Sequence, residues 1–121
     1  MFCGLTVVEF QLAHEGPGDG GLAVVPASHK ANYAMPARLS LYEEHREYVK
    51  EVHTEAGDAI IFTEALTHGT LVWNGDHQRW SLLYKYSPSF QAHAPGTHQA
   101  VVPDYILDMS EQERAMLVDI T

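Results

Sequence analysis

Cysteine, positive charge and long apolar runs are all scarce in this sequence of 121 residues. The single cysteine, Cys3, has no partner for an internal disulfide, which is typical of proteins in a reducing compartment. Seven basic residues against 16 acidic ones give a formal net charge of −9, which argues against a nucleic acid or an anionic membrane as partner. No apolar run approaches the ~20 residues that cross a bilayer, and the first residues carry no basic segment typical of a signal peptide. These absences predict a cytoplasmic location.

Short extended segments separated by turns dominate the chain. Residues 5–12 alternate between two faces and contain enough valine and phenylalanine to favour a strand. One face of that segment carries Val8, Phe10 and Leu12, and the other carries Val7, Glu9 and Gln11. Further strands are predicted at residues 21–25, 50–54, 59–62 and 70–73, and in a run that begins at Arg79.

The rest of the chain contains turns, loops and two helical segments. Residues 14–21, rich in glycine, form a turn cluster, and residues 27–36 and 87–103 are predicted loops. A helix is predicted over residues 37–49, and a capping box at 110–113 predicts another helix through residue 118. Five or six short strands favour an all-β sandwich or barrel.

The most informative stretch is residues 57–81, GDAIIFTEALTHGTLVWNGDHQRWS, because it combines a histidine, an arginine and a serine on short β elements. Arg79 follows His68 by 11 residues, and Ser81 follows in an Arg-x-Ser arrangement. If Asn74-Gly75 were a tight hairpin turn, the two runs would pair directly. The polar side chains of the two runs would then line one face.

The motifs GDAIIF, THGT and RWSLLYKYSP in this stretch, together with GPGDGGLAVVPASHKANY upstream, resemble the phytanoyl-CoA dioxygenase family of iron(II)/2-oxoglutarate oxygenases. The resemblance extends over residues 7–116. In that family's fold the runs that carry His68 and Arg79 belong to facing sheets, and their polar side chains converge inside the barrel; we favour this arrangement over the direct hairpin. With the Gly57-to-His68 interval, which also matches the second cupin motif, the resemblance implies a double-stranded β-helix (jelly-roll or cupin-like): a partial barrel with one or two short helices.

The resemblance also implies a cofactor site. His68 matches the distal iron(II) ligand of a two-histidine, one-carboxylate triad. Arg79 and Ser81 match the residues that hold the far carboxylate of 2-oxoglutarate. Together they imply a dioxygenase that hydroxylates a small or lipid-like organic substrate, whose identity the sequence does not indicate.

The His-x-Asp pair that supplies the family's other iron ligands has no counterpart here. The expectation is therefore that residues 1–121 form a single domain, the C-terminal portion of such an oxygenase with an incomplete metal site. His53-Thr54-Glu55 is the best substitute pair, but only one strand separates it from His68, so we do not favour it.

Each candidate also has a plainer interpretation. His68 could be a core histidine bonded to backbone, and Arg79 could pair with an acidic residue, for which Asp58, Glu64 and Asp76 are the candidates. Two other functions stay open: a non-catalytic β-barrel remnant that binds a small anion, and a cupin-type metal protein. A partial barrel also predicts self-association through open sheet edges.

Overall fold

Strands form where the sequence alternates or contains β-branched residues. The computed structural model describes residues 4–88 and 104–115, and the chain divides into two units, Met1–Tyr86 and Ser87–Thr121. The first unit contains the six strands and one short helix: β1 (Thr6–Gln11), β2 (Gly21–Val24), α1 (Ala37–Ser40), β3 (Lys50–Glu51), β4 (Ala59–Thr63), β5 (His68–Leu71) and β6 (Ser81–Tyr86).

The six strands form two three-stranded antiparallel sheets. The first sheet has the order β4-β1-β6, and the second has the order β3-β2-β5. Val7 and Phe62 of the first sheet pack with Leu22 of the second in the buried core, so the two sheets face each other. The expected all-β, cupin-like fold with two short helices is confirmed.

The inner face of β1 is largely polar. Val7, Glu9 and Gln11 alternate toward the second sheet and are each no more than 1% exposed. Phe10, on the opposite face, is 40% exposed. Because successive side chains of a strand point to opposite faces, the position of Val7 in the core fixes the orientation of both polar residues.

The prediction of one helix over residues 37–49 is wrong. Helix α1 ends at Ser40, and Arg46–Tyr48 forms a separate 3₁₀ turn. Between them Tyr42 and His45 have positive φ values of 56° and 62°. Left-handed residues interrupt the hydrogen-bond ladder of a right-handed helix, which accounts for the break.

The second unit contains a 3₁₀ turn, Asp104–Asp108, and helix α2, Glu111–Ala115. The predicted capping box is present: Ser110 N–H donates to Glu113 Oε2 at 2.7 Å, and Glu113 N–H donates to Ser110 Oγ at 3.3 Å. The hydrogen bond from the Ser110 hydroxyl lowers the pKa of Glu113. The predicted end of this helix and most of the loop at 87–103 lie outside the described residues. Within the described part of the chain, every helix is too short or too polar to cross a membrane.

Candidate functional site

His68 begins β5 and faces the first sheet. It pairs with Val24 of β2, and its ring lies 4.9 Å from that of Phe62, centroid to centroid, with the planes inclined by 63°. The residue is exposed. His68 is therefore not a core histidine, although it does bond to backbone.

A backbone hydrogen bond determines which ring nitrogen of His68 carries the proton and which one can accept. His68 Nδ1 lies 2.8 Å from the carbonyl oxygen of Leu66. A carbonyl only accepts, so Nδ1 carries the proton and the neutral ring presents the lone pair of Nε2. Metal-bound histidines in proteins are commonly oriented in this way. The geometry therefore suits His68 to ligate a metal through Nε2.

A cavity of about 130 Å³ lies beside His68, between β2, β5 and the segment that contains α1. Its walls are mainly apolar, and a few hydroxyls lie among them. The lining residues include Ala23, Val25, Met35, Leu39, Val49, Thr70 and Leu71. A cavity of this character suits a small, mostly apolar group.

Arg79 is held by two buried glutamates. Its Nε donates to Glu15 Oε1 at 2.6 Å, and its Nη2 donates to Glu9 Oε1 at 2.8 Å. The side chains of Glu9 and Glu15 are 2% and 1% exposed, and that of Arg79 is 23% exposed. We name this set the Arg79 cluster: Arg79, Glu9 and Glu15. It carries two formal negative charges and one positive charge.

Sheet geometry places the Arg79 cluster on the inner face. Leu12 N–H donates to the carbonyl of Trp80 at 2.9 Å, so the chain before β6 stays beside the chain after β1. Gly21 adjoins the cluster at a φ of 82°. A β-carbon there would collide with the Glu15 carboxylate and lie 3.2 Å from Arg79 Nε. The second glycine of the Gly20-Gly21 pair therefore gives the ion pair its room.

Ser81 and Gln11 lie next to this cluster. They are direct partners in the β1–β6 register, so their side chains share the inner face. The amide nitrogen and oxygen of Gln11 are buried without a hydrogen-bond partner, and so is the hydroxyl of Thr54. Unpaired buried polar groups are uncommon and point to a missing water, ion or ligand group.

The predicted site residues belong to two facing sheets. His68 lies on β5 of the second sheet, while Ser81 lies on β6 of the first, and Arg79 lies just before β6. The favoured arrangement is thus confirmed, and the direct hairpin is excluded. Arg79 and Ser81 adjoin each other, but the contacts of His68 are with Leu66 and Phe62 rather than with them.

The substitute pair around Thr54 is not arranged as a metal site. His53 Nε2 lies 3.3 Å from a carboxylate oxygen of Glu51, and Glu55 pairs with His14 at 3.0 Å. Each member therefore has a different partner. Across residues 4–88 and 104–115, no group of three or more histidine, cysteine, aspartate or glutamate side chains could hold a metal ion.

Glu9 and Glu15 were missed as partners of Arg79. The sequence suggested Asp58, Glu64 or Asp76, but Asp58 accepts from the Glu55 N–H, Glu64 pairs with Lys85, and Asp76 pairs with His77. The available signal was the alternation of residues 5–12, which sets Glu9 opposite to the apolar face. A glutamate in a strand otherwise rich in valine and phenylalanine is a candidate for a buried ion pair.

The loop before Arg79 carries a surface ion pair. His77 Nδ1 lies 3.0 Å from Asp76 Oδ1, and His77 Nε2 lies 2.9 Å from the carbonyl oxygen of His14. The hydrogen bond with Asp76 raises the pKa of His77, and the same bond lowers the pKa of Asp76. This pair tethers the 73–79 loop to the segment that contains Glu15.

Comparison with solved structures identifies a similar protein. The chain is similar to HygX from Streptomyces hygroscopicus in its apo form, with 27% identity and a TM-score of 0.63 over 74% of this chain and 39% of that one. It is also similar to HygX with iron bound, with 26% identity and a TM-score of 0.64 over 74% of this chain and 39% of that one. For HygX with nickel, 2-oxoglutarate and hygromycin B bound, the identity is 28% and the TM-score is 0.63, over 74% of this chain and 38% of that one.

The chain thus spans about two fifths of the length of HygX. No protein-family model matches it, and no curated protein matches it significantly. What the comparisons establish is that the fold is that of a protein that binds iron and 2-oxoglutarate.

Proposed function

We propose that this chain is the C-terminal part of an iron(II)/2-oxoglutarate-dependent dioxygenase of the phytanoyl-CoA dioxygenase family, a hydroxylase of a small organic molecule. The observation that carries the proposal is the shared fold with HygX, which binds iron and 2-oxoglutarate. The motifs at residues 20–30 and 57–87 support the narrower family assignment.

In this proposal His68 holds the iron. Its Nδ1–H bond to the Leu66 carbonyl fixes the ring and leaves Nε2 as the donor atom. One histidine is a single ligand, so the other ligands come from outside the described residues. Bound iron(II) with 2-oxoglutarate would supply the activation of dioxygen for hydroxylation of a C–H bond.

Arg79 and Ser81 hold the far carboxylate of 2-oxoglutarate in this proposal. Both lie on the inner face, where a guanidinium and a hydroxyl suit a carboxylate. The buried and unpaired amide of Gln11 beside them is consistent with a polar ligand group there. However, Arg79 already donates to two carboxylates, so a third carboxylate would add negative charge to a cluster that already carries an excess of it.

The cavity beside His68 is the place that we assign to part of the substrate. Its apolar walls suit a small hydrocarbon portion, and its position beside the proposed metal ligand would bring that portion near the reacting centre. The hygromycin B bound by HygX is a property of that protein, and the substrate class proposed here rests on the cavity alone.

A second candidate function is a non-catalytic β-barrel remnant. Two observations favour it: the described residues contain no group of three or more side chains that could hold a metal ion, and the guanidinium of Arg79 is already paired. In that case the Arg79 cluster stabilises the fold and binds no cofactor.

Calorimetry under argon with Mn²⁺ as a redox-silent substitute for iron tests the proposal. We expect 2-oxoglutarate binding that depends on Mn²⁺ and is lost in His68→Ala. Loss of one ligand should weaken Mn²⁺ binding by more than the roughly 10–100-fold that loss of an outer-shell partner causes. His45→Ala is the control, because His45 is also exposed but lies in the segment after α1.

Equal binding by His68→Ala and the unmodified chain would remove His68 from the metal site. Absence of any Mn²⁺-dependent binding would favour the remnant. Where binding is found, conversion of 2-oxoglutarate to succinate in the presence of iron(II) and dioxygen separates a working enzyme from a binding protein.

We also propose that the protein self-associates through its sheet edges. In the described residues, β4 and β6 are the outer strands of the first sheet, and β3 and β5 are those of the second. Unpaired strand edges are templates for pairing with another chain. Light scattering tests this, and a stable monomer across a hundredfold range of concentration would contradict it.

A further inference from the structure

Two buried glutamates share one arginine in the Arg79 cluster. With both carboxylates ionised the cluster has one excess negative charge, and the two glutamate side chains are at most 2% exposed. The far carboxylate of a dicarboxylate that binds to Arg79 adds a further negative charge to the cluster. Buried charges without a partner are strongly unfavourable, so this addition has to be compensated.

Movement of Glu15 toward solvent is opposed by its surroundings. Its backbone N–H donates to the Thr54 carbonyl at 2.9 Å, and the Thr54 N–H donates back to the Glu15 carbonyl at 3.0 Å. The Leu22 N–H approaches its carboxylate at 3.4 Å, and Gly21 lies against the same oxygen. The carboxylate is therefore enclosed as well as paired.

Glu9 is held in place by its strand. It belongs to β1, the central strand of the first sheet, where Ile60 of β4 and Leu83 of β6 are its register partners. Neither neighbouring position carries a charge. The neutral side chains of Gln11 and Ser81 lie beside the cluster on the inner face. The titratable groups of the adjoining segments have other partners: His14 pairs with Glu55, His77 with Asp76, and Lys85 with Glu64.

Protonation of one glutamate would compensate the added negative charge without a change in the fold. We propose that Glu9 and Glu15 are positioning residues that set the specificity of Arg79, so that the cluster takes up a carboxylate ligand together with one proton. The proton comes from solvent and binds a carboxylate oxygen of Glu9 or Glu15. The resulting carboxylic acid becomes a donor, and the freed guanidinium N–H groups turn to the ligand. This inference rests on the proposed function, because the ligand is the 2-oxoglutarate assigned there.

Calorimetry in paired buffers tests this inference directly. Binding of 2-oxoglutarate with saturating Mn²⁺ is measured at pH 6.0 and 7.5 in two buffers that differ in ionisation enthalpy. We expect uptake of about one proton per ligand and an affinity that rises about tenfold for each unit of decrease in pH. Competition of protons for the metal ligands has the opposite sign, since it weakens binding at low pH.

Four variants test where the proton binds. Glu15→Gln and Glu9→Gln each remove one negative charge and mimic the protonated acid, so one of them should bind 2-oxoglutarate at least about tenfold more tightly at pH 7.5, with the proton uptake abolished. Glu44→Gln is the matched control, because Glu44 also pairs with an arginine, Arg38, but on the exposed surface. His77→Gln tests a nearby histidine whose pKa is raised, and it should leave the proton uptake unchanged.

The possible outcomes separate the two proposals. Binding with no proton uptake, and with no gain in either glutamine variant, overturns this inference while the proposed function stands. Binding that is independent of Mn²⁺ but coupled to a proton supports the inference and contradicts the metal site. Absence of binding in every variant at both pH values overturns both.

Discussion

The two faces of β1 contrast in a way that reverses the usual rule for a half-buried strand. Val8 and Phe10 lie on the outer face, and Phe10 is 40% exposed. Glu9 and Gln11 lie on the inner face and are 1% exposed. The outer face stacks Phe10 against Tyr84 of β6, edge to face at 6.0 Å between ring centroids. On the inner face, the positive charge of Arg79 offsets part of the negative charge of Glu9 and Glu15.

This contrast shows that the inside of the sandwich is not a simple apolar core. Val7, Leu22 and Phe62 form a small apolar cluster, and the polar residues Glu9, Gln11, Glu15 and Thr54 are buried as well. A polar interior is destabilising unless its groups are paired. Such an arrangement is typical of barrels that bind a ligand between their sheets.

The largest expected effect comes from removing the cation of the inner face. Arg79→Met should lower the free energy of unfolding by about 3–5 kcal/mol, because it leaves two buried carboxylates without a partner. Arg38→Met, which breaks the exposed pair with Glu44, should cost about 1 kcal/mol or less. Urea denaturation followed by circular dichroism measures both.

Further variants test whether the two unpaired carboxylates cause the loss of stability in Arg79→Met. Adding Glu9→Gln and Glu15→Gln to Arg79→Met should restore part of the lost stability, since the unpaired charges are then absent. Equal losses for Arg79→Met and Arg38→Met would show that the buried pair has no special role.

A second comparison uses neighbouring valines on opposite faces. Val7 is fully buried in the apolar cluster, whereas Val8 is only partly buried on the outer face. We expect Val7→Ala to destabilise by about 2 kcal/mol, from two lost methyl groups and the cavity they leave, and Val8→Ala by less than about 1 kcal/mol. Thermal unfolding of both variants is the measurement. A larger loss for Val8 would mean that the outer face is covered in solution.

A smaller effect is expected at Gln11. Its amide is buried without a partner, so Gln11→Leu removes an unpaired donor and acceptor at little change in volume. We expect stability to rise by about 1 kcal/mol, which thermal unfolding would detect. A decrease would show that a water or ligand group satisfies the amide. Gln78→Leu is the control, because Gln78 is exposed and accepts a hydrogen bond from the exposed Trp80 Nε1.

The smallest effect concerns the exposed pair beside Arg79. The raised pKa of His77 means that its contribution to stability is present below pH 6.5 and is lost as pH rises through the raised value. For Asp76 the pKa is lowered, so its contribution is present above pH 3.8 and is lost as pH falls through the lowered value. In Asp76→Asn, NMR titration should show the pKa of His77 falling toward 6.5. An unchanged value would assign the shift to the His14 carbonyl instead.

The sequence predicted the strands and the fold well, because these depend on local patterns. Alternation and turn residues located all six strands, with differences of a few residues at their ends. The helix at 37–49 failed because left-handed backbone at Tyr42 and His45 has no clear signal in residue type. The positions of His68, Arg79 and Ser81 on facing sheets were also predicted, and their roles stay predictions.

What the sequence alone determined is therefore the positions of the strands along the chain and the fold class. Only the tertiary structure decided the partners of the candidate site residues. Residues distant along the chain, Glu9 and Glu15, meet Arg79 because β1 and β6 are adjacent in the first sheet. Spacing along the chain does not encode that adjacency. The charge of the Arg79 cluster, and hence the proton that we assign to ligand binding, follows from it.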